Sequence, residues 1–566
     1  MSVINARLFR ILSLLAFTGL LSACGQTSSK AVQAVEAPAA QQSANRPNIL
    51  LIVADDLGFS DLGIMGGEIA TPNLDKLASD GLLMTNFYAG GTCSPTRAML
   101  LSGIDHHRAG VGTMMEHIAP NQRGQPGYEG YLNDRVVTLP ELLQDAGYRT
   151  YAAGKWHLGM TEETSPATRG FDRSFMLLNG GASHFDQSGL NSRTDPAPYR
   201  EDGVMVDLPE DFTYSTDFYT DRMIDYIEGG RSEGAPFFAY LAYTAPHWPL
   251  QAPAENTAKY AGVYDAGWQA IQAQRRERLV ASGMMPSSTE VHPIFTDKPA
   301  WSALSHEEQR YEARKMEIYA GMVDRLDEQI GELIAYLKRT GQYENTVIVF
   351  MSDNGAEGAP LYRLDGFKAW MDSFDNSFAN MGNKGSYVFY EERWAQVSMT
   401  PFRLYKGMAS DGGTHVPAFI TYGATKAQKA RHTSVTSVMD IAPTLLELAG
   451  VNQPEGQYEG RDVLAMQGQS WVPVLEGRVA QVRTASEGLG SELFNKKAYR
   501  RGNWKALHLH EPFGPGRWQL YDLSSDPGET KDLAADRPEL LAELVSSWNN
   551  YAAANGVVIG NTPPER

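Results

Sequence analysis

Short, almost uninterrupted hydrophobic runs alternate along the chain with segments whose hydrophobic positions recur every three or four residues. The runs are bounded by polar residues and have the length of buried strands, and they cover residues 48–54, 149–153, 237–243 and 346–351. The periodic segments have the spacing of amphipathic helices, and they cover residues 139–146, 216–228 and 306–337. This alternation predicts an α/β fold, with a large mixed, mostly parallel sheet sandwiched by helices.

The pattern changes after about residue 480. Residues 498–509 and 518–523 are predicted as short strands separated by a Pro/Gly turn at 512–516, and a terminal helix is expected at about 538–551. We therefore expect a main domain at 47–480 and a small antiparallel α+β subdomain at 481–566. Within the main domain, residues 357–400 are predicted to form a long irregular insertion, of the kind that often borders a binding site.

Polar side chains follow four of the predicted strands, at the point where each strand ends. They are Asp55 and Asp56, Lys155 and His157, His247, and Asp353 and Asn354. Any one of these could be an ordinary strand exit or a helix cap. In open α/β sheets, however, ligands bind at the carboxyl ends of the strands. The four ends together predict a functional site at that edge of the sheet.

The first 46 residues are not expected to belong to the fold. Arg7 and Arg10 precede an apolar run at 11–21, which predicts a signal peptide at 1–23. The end of the run resembles a bacterial lipoprotein lipobox, which implies a lipid anchor at Cys24. Gly25 then favours an outer-membrane protein facing the periplasm or the cell surface, and plain secretion is the alternative. Residues 24–46 are rich in Ser, Ala and Gln and are predicted to be a flexible tether.

Charge and cysteine content restrict the possible functions. The formal net charge of the 566 residues is -18, which argues against a nucleic-acid partner. An anionic substrate would have to be attracted by local cations. The chain has two cysteines, Cys24 and Cys93, so a lipidated Cys24 would leave Cys93 without a disulfide partner. Cys93 is then either a small buried residue or a residue that takes part in the chemistry of the protein.

The sequence Cys93-Ser94-Pro95-Thr96-Arg97 resembles the C-x-P-x-R signature of type I sulfatases. The resemblance implies that a dedicated formylglycine-generating enzyme oxidises Cys93 to Cα-formylglycine (3-oxoalanine) before folding. A hydrated aldehyde has two hydroxyls, one to attack the sulfur of a sulfate ester and one whose deprotonation expels sulfate. The residues that follow, 98–103, extend a short helix whose N-terminal N–H groups could face an anion.

A divalent cation is expected beside Cys93. Asp55, Asp56, Asp353 and Asn354 offer hard oxygen ligands, which favour Ca²⁺ or Mg²⁺ over Zn²⁺. The ligand types alone do not separate Ca²⁺ from Mg²⁺. The resemblance implies one Ca²⁺ per chain, with the group derived from Cys93 as a further ligand.

The resemblance also implies roles for the remaining polar residues. Lys155, His247 and Lys406 would bind the sulfate group, and His247 would help to protonate the leaving oxygen. Arg97 would stabilise the hydrate, with Asp353 as the proton acceptor for the attack. His157 would take the proton of the second hydroxyl.

The likeness extends over nearly all of the chain after residue 46 and is greatest to bacterial arylsulfatases of the pseudomonad type. Motifs that carry it lie at 46–58, 126–131, 154–159, 244–253, 351–358, 403–406 and 518–523. The motif at 440–444 is shared more widely across the alkaline phosphatase-like superfamily. One departure is Thr414 and His415, where the family usually has an apolar residue and Arg. We expect altered local packing there and intact chemistry.

The function expected from these features is hydrolysis of a sulfate monoester, with aryl sulfates as the assay class. A phosphonate or phosphodiester hydrolase of the same superfamily is the first alternative. A lipid-anchored protein that binds sulfated glycans without catalysis is the second. Residues 183–215 and 357–400 are expected to shape the substrate entrance, but the sequence does not identify the alcohol part of the substrate.

Overall fold

Strands and helices alternate in the described residues between Asn48 and Ala449, as the hydrophobic pattern predicts. The computed structural model describes residues 46–363, 366–422 and 430–562. The predicted signal peptide, Cys24 and all but the last residue of the predicted tether lie outside the described residues. Among the helices that are described, none combines the length and hydrophobicity needed to cross a bilayer.

The strands of the described residues are β1 (Asn48–Ala54), β2 (Leu82–Met84), β3 (Phe87–Tyr88), β4 (Arg149–Lys155), β5 (Arg173–Leu177), β6 (Tyr199–Glu201), β7 (Val204–Val206), β8 (Phe237–Ala242), β9 (Thr346–Ser352), β10 (Ala418–Tyr422), β11 (Ala430–His432), β12 (Thr436–Ser437), β13 (Gln457–Tyr458), β14 (Arg461–Asp462), β15 (Gly488–Leu493), β16 (Lys496–Arg501), β17 (Trp504–His508) and β18 (Trp518–Asp522).

The α-helices in the same ranges are α1 (Pro72–Asp80), α2 (Cys93–Ser102), α3 (His106–Ala109), α4 (Leu139–Asp145), α5 (Ser215–Gly230), α6 (Ala254–Ala258), α7 (Trp268–Ala281), α8 (His306–Arg339), α9 (Phe367–Met371), α10 (Glu391–Ser398), α11 (Asp411–Thr414), α12 (Ile441–Ala449), α13 (Val472–Leu475) and α14 (Pro538–Asn555).

A ten-stranded mixed sheet forms the centre of the described chain, in the order β11-β2-β10-β9-β1-β8-β4-β5-β6-β7. Its central strands β9, β1, β8, β4 and β5 are parallel, and β10, β6 and β7 run antiparallel to their neighbours. All seven residues of β1 are buried, because both faces of the sheet are covered. The predicted α/β fold with a large, mostly parallel sheet is confirmed.

Alternate residues of β1 belong to two different cores, one on each face of the sheet. Leu50 and Ile52 pack in the core that includes residues of α1, α5, α7 and α8. Ile49, Leu51 and Val53 pack in the core that includes residues of α2, α4 and α12. The sheet is therefore the middle layer of a three-layer sandwich.

The C-terminal part contains an antiparallel sheet in the order β15-β16-β17-β18, with α14 packed on it. The prediction of one strand at 498–509 is wrong, because β16 and β17 form a hairpin there. Gly502, with a φ of +57°, occupies the turn between them, in a conformation that favours glycine. Strand β15 was not predicted. The described residues belong to one compact unit, and the domain boundary at 480 stays a prediction.

The segment 357–400 is less irregular than expected. It contains the short helix α9 and the two-turn helix α10, and seven of the eight residues of α10 are buried. Trp394 on α10 is fully buried and donates its indole N–H to the Glu312 carbonyl of α8. Tertiary burial, rather than a clear local pattern, accounts for this helix.

Candidate active site

The carboxyl ends of β1, β4, β8 and β9 meet at one edge of the large sheet, because these strands are parallel and in register. The N-terminus of α2 lies at the same place and presents Cys93. The Cys93 thiol donates to Asp55 Oδ1 at 3.3 Å, and Lys155 Nζ lies 2.6 Å from Asp55 Oδ2. Cys93 and Asp55, 38 residues apart, are therefore in direct contact beneath the surface.

Arg97 joins three of these elements. It lies one turn after Cys93 on α2 and is fully buried. Its Nε and Nη2 donate to Asp353 Oδ2 at 3.1 and 2.9 Å, and its Nη1 donates to the Lys155 carbonyl at 2.8 Å. The guanidinium is thus held rigidly by the ends of β4 and β9.

Asp56 is the centre of a second group of contacts. Its Oδ1 accepts from Asn354 Nδ2 at 2.6 Å and lies 2.7 Å from Lys406 Nζ. Its Oδ2 lies 3.6 Å from His247 Nε2, and its backbone N–H donates to Asp353 Oδ1 at 3.2 Å. Asp56 has a φ of +66°, which is a strained backbone conformation for a residue with a side chain. Such strain is common at functional sites, where the backbone holds a side chain in a required orientation.

Buried charges of both signs determine the electrostatics of this cluster. Burial alone would raise the pKa of Asp55, but the neighbouring charges, Lys155 foremost, lower it below the ordinary value. Burial raises the pKa of Asp56 to about 7; Lys406 opposes this rise, and the adjacent carboxylates add to it. The carboxylates thus lie too close together for all to ionise easily without additional positive charge.

The Cys93 thiol itself is a poor nucleophile in this position. Burial raises its pKa well above the ordinary value, and the carboxylates of Asp353 and Asp55 raise it further. The thiol therefore stays protonated and acts as a hydrogen-bond donor. This electrostatic setting fits a cysteine whose function requires conversion to another group.

Two histidines border the cluster, and both are neutral near pH 7. Burial lowers the pKa of His157 and lowers that of His247 well below its ordinary value. His157 Nε2 lies 3.0 Å from Glu116 Oε1 and its Nδ1 has no hydrogen-bond partner. His247 Nδ1 lies 2.6 Å from the Trp248 carbonyl, which fixes a proton on Nδ1 and directs Nε2 toward Asp56.

The oxygen atoms at the strand ends fit a divalent cation. One ligand atom from each of Asp55, Asp56, Cys93 and His247 lies within 4.8 Å of the others, and all four residues are buried. Asp56 Oδ2 and Asn354 Oδ1 are buried without a hydrogen-bond partner, as expected for atoms that take a metal. Most of the donors are carboxylate or amide oxygens, which suits a hard cation.

The cluster opens on a cavity of about 370 Å³. Cys93, His157, His247 and Lys406 line it together with apolar side chains, and these are Met114, Leu190, Trp248, Leu361 and Phe367. Trp248 stacks on the His247 ring with 4.9 Å between ring centroids. The cavity thus combines a charged group of side chains with an aromatic wall.

All ten residues expected from the sequence lie in the cluster or line its cavity; they are Asp55, Asp56, Cys93, Arg97, Lys155, His157, His247, Asp353, Asn354 and Lys406. Two further residues were missed. Glu357 lies 3.4 Å from Lys406 Nζ and belongs to the motif at 351–358, so the sequence contained a signal. Glu116, which contacts His157, lies in a single turn of 3-10 helix at Met115–His117, in a segment without a recognisable motif.

The unusual residue His415 is outside the cluster. Its Nδ1 lies 3.2 Å from Asp411 Oδ2, its Nε2 lies 2.8 Å from the Thr85 carbonyl, and its ring stacks on Phe402. None of these three partners belongs to the cluster. The departure from the family pattern is therefore accommodated by local packing.

Fold and site together define a member of the sulfatase family. The sulfatase family model matches residues 47–451, well over half of the chain, and a model described as N-sulphoglucosamine sulphohydrolase, C-terminal, matches residues 404–548. The chain belongs to this family and is a sulfatase, an enzyme that hydrolyses sulfate esters. The resemblance seen in the sequence is confirmed.

Individual relatives agree. The chain is 42% identical to an uncharacterized sulfatase of Schizosaccharomyces pombe over 533 residues, covering 92% of this chain and 95% of that protein. It is 40% identical to an arylsulfatase of Klebsiella aerogenes over 437 residues, covering 77% and 92%.

Solved structures share the fold. A crystal structure of Ps i-CgsB in complex with k-i-k-neocarrahexaose matches with a TM-score of 0.64 and 26% identity, over 90% of this chain and 93% of that one. The phosphonate monoester hydrolase of Agrobacterium radiobacter matches with a TM-score of 0.54 and 22% identity, over 90% and 96%; this likeness concerns the fold alone.

Proposed function

We propose that this sulfatase hydrolyses sulfate monoesters, aryl sulfates among them, through a Cα-formylglycine made from Cys93 and with one bound Ca²⁺. The observation that carries the proposal is the position of Cys93. It is a buried, protonated thiol at a helix N-terminus, held by Asp55 and surrounded by cations at the base of a cavity. A thiol in this setting cannot act as the nucleophile, whereas a hydrated aldehyde can.

Asp55, Asp56, Asp353 and Asn354 would hold the cation, which when bound polarises a sulfate oxygen. The hydrated aldehyde supplies one hydroxyl that attacks sulfur and a second whose deprotonation releases sulfate. Asp353, whose pKa is raised by burial and by Asp55, accepts the proton of the attacking hydroxyl.

Lys155, Lys406 and Arg97 place three buried positive charges around the same point. Lys155 and Lys406 bind the sulfate oxygens and stabilise the negative charge that shifts during transfer. Arg97, fixed by Asp353 and the Lys155 carbonyl, orients the group at position 93. These cations also attract an anionic substrate to a chain whose net charge is -18.

The two histidines carry out different proton transfers. His157 is neutral near pH 7 and has a free Nδ1, so it can take the proton of the second hydroxyl. His247 must first gain a proton from solvent on Nε2, which the negative charge of the bound sulfate ester favours, and can then donate that proton to the leaving oxygen. The Trp248 carbonyl keeps its Nδ1 proton in place throughout.

Mass spectrometry of the peptide that contains Cys93, after expression with a formylglycine-generating enzyme, tests the modification. We expect a loss of roughly 18 Da when the thiol becomes an aldehyde. The same preparation should hydrolyse aryl sulfates faster than the matched aryl phosphate monoesters and diesters. An unmodified Cys93 in a fully active enzyme would contradict the mechanism, and a preference for the diester would favour the phosphonate or phosphodiester alternative.

We also propose that the chain is exported and lipid-anchored at Cys24, in the outer membrane. The proposal rests on the segment from Arg7 to Gly25 in the sequence. Metabolic labelling with a fatty acid, compared between the natural chain and Cys24→Ser, tests it. We expect label and membrane association in the natural chain alone; a soluble, unlabelled natural chain would contradict the anchor.

A further inference from the structure

Residues 179–181 follow β5 and lie against both histidines of the active site. A Cβ built on Gly180 would lie 3.1 Å from His157 Cε1, and one built on Gly181 would lie 3.1 Å from His247 Cε1. The backbone therefore passes close to both imidazoles, at a distance that only glycine allows without displacing a ring. Asn179, the first residue of this segment, lines the same cavity as Cys93.

The side chain of Asn179 is buried but unsatisfied. The residue is 4% exposed, and neither its Oδ1 nor its Nδ2 has a hydrogen-bond partner. Folded proteins rarely leave both ends of a buried amide unpaired, because the lost hydrogen bonds to water are not replaced. An unpaired amide in the wall of a catalytic cavity is therefore a candidate contact for the substrate.

The other amide side chain in the cavity wall does not share this property. Asn191, which also lines the cavity, accepts a hydrogen bond from the Arg193 backbone N–H at 2.9 Å. Among the described residues that line the cavity, Asn179 is the one amide with both polar atoms unpaired. The remaining wall near His247 is apolar, with Trp248 and Phe367 suited to contact a ring.

We propose that Asn179 is a specificity-determining residue that hydrogen-bonds a hydroxyl next to the sulfated oxygen. The preferred substrates are then sulfate monoesters of vicinal diols, a chemistry shared by catechols and by sugar rings. An amide both donates and accepts, so it can pair with a hydroxyl in either orientation. This inference rests on the proposed function, because it assigns the alcohol side of the same site.

The test compares two substrates of equal size, 2-hydroxyphenyl sulfate and 2-methylphenyl sulfate, in the natural enzyme and in Asn179→Leu. The ratio of their kcat/KM values is measured in each enzyme, and the change in that ratio cancels differences in leaving-group reactivity. We expect the ratio of the hydroxy to the methyl substrate to fall by about tenfold or more in Asn179→Leu, because kcat/KM falls for the hydroxy substrate alone. Ser192→Ala, at an exposed position of the same cavity, should leave it unchanged.

Glucose 3-sulfate is the second diol substrate, and its kcat/KM is compared with that of 2-methylphenyl sulfate in the same two enzymes. This comparison distinguishes a sugar from a catechol as the source of the hydroxyl. A fall in kcat/KM that is confined to either diol supports the proposal and identifies that source. The proposal is overturned if Asn179→Leu leaves the kcat/KM of both diols unchanged relative to 2-methylphenyl sulfate, or if all three substrates lose activity equally, which would indicate a structural role. If the natural enzyme hydrolyses none of the sulfates, the proposed function itself fails, and Asn179 is not the cause.

Discussion

Two buried clusters of carboxylates and histidines lie near helix α2, one at its N-terminus and one in the residues that follow its C-terminus, and they differ in one respect. The catalytic cluster contains Asp55, Asp56 and His247; the second cluster contains Asp105, His106 and His107, and both bring ligand atoms within 4.8 Å of one another. By residue type alone, either could be a metal site. The distinction is in how their polar atoms are satisfied.

The second cluster is closed by its own hydrogen bonds. His107 Nδ1 lies 2.9 Å from Asp105 Oδ1 and its Nε2 lies 3.1 Å from Glu492 Oε2. The other oxygens of the two carboxylates accept from Tyr551 and from the Asn495 backbone N–H. Glu492 belongs to β15 and Tyr551 to α14, so this cluster attaches the C-terminal sheet to the main part of the enzyme.

The catalytic cluster, by contrast, leaves acceptors unused. Asp56 Oδ2 and Asn354 Oδ1 have no hydrogen-bond partner, and the cluster faces a cavity of about 370 Å³. The cavity beside Asp105 and His106 measures about 50 Å³. Buried charge alone therefore does not identify an active site; unsatisfied acceptors beside an open volume do.

Cys93→Ser should have the largest effect, because it removes the group from which the proposed nucleophile is made. We expect kcat to fall by more than about a thousandfold while the fold is retained. Turnover of an aryl sulfate, together with circular dichroism, measures both. Ser102→Ala, on the same helix, is the control and should stay active. Full steady-state activity of the Cys93 variant would place the catalytic nucleophile elsewhere.

Removal of the metal should have the next largest effect. Exhaustive chelation should lower activity on the order of a hundredfold or more, and Ca²⁺ should restore it better than Mg²⁺. Asn354→Leu, in the catalytic cluster, should lower the amount of bound metal. The second cluster should bind no metal, so His106→Gln should leave that amount unchanged. Elemental analysis of the purified variants checks this. Undiminished activity in a metal-free preparation would mean that the catalytic cluster needs no metal, and metal binding would then not distinguish it from the second cluster.

The second cluster should affect stability and its pH dependence instead of catalysis. Burial alone would lower the pKa of His107, but Asp105 and Glu492 raise it to about 9. A raised histidine pKa contributes stability that is complete below about pH 6.5 and is lost as the pH rises through 9, on the order of 3 kcal/mol. Urea unfolding from about pH 6 to 9.5 should show this loss in the natural enzyme and not in His107→Phe. A large drop in kcat of the folded variant would contradict the assignment.

Glu116→Gln should have the smallest effect. The Glu116 carboxylate raises the pKa of His157 against the lowering caused by burial, so its removal lowers that pKa further. The acid limb of the kcat profile should then move to lower pH, and the plateau should fall by roughly two- to tenfold as the base weakens. Glu162→Gln, an exposed change in a nearby loop, is the control. An unshifted acid limb would mean that His157 is not the group being titrated.

The sequence predicted the fold and the catalytic cluster because both depend on the same pattern. A buried parallel strand is hydrophobic along its whole length, so the polar residues after β1, β4, β8 and β9 stand out, and parallel pairing brings them to one edge. The structure brings these residues together, but the role of each one, Lys406 and Arg97 included, came from family resemblance or ligand chemistry and remains a prediction.

Residues in loops escaped sequence reasoning. Glu116 and Asn179 lie in segments with no regular period, and their importance depends on what the fold brings beside them. The hairpin of β16 and β17 was missed although the sequence contained a turn signal. Arg501-Gly502-Asn503 interrupts the hydrophobic positions there. Helix α10 contains good helix formers, but its two turns are too short to show a clear period, and it is stabilised by burial of Trp394.

The depth of Cys93 has a consequence for how the enzyme matures. The residue is 2% exposed, and the wall that covers it includes strand ends from positions as distant as 55 and 353. Contacts between such remote positions form slowly, because a long loop must close first. The nascent polypeptide therefore exposes its thiol for an interval, and any enzyme that oxidises it has to act within that interval. Mutations that hasten collapse of the central sheet should leave a larger fraction of molecules permanently unconverted.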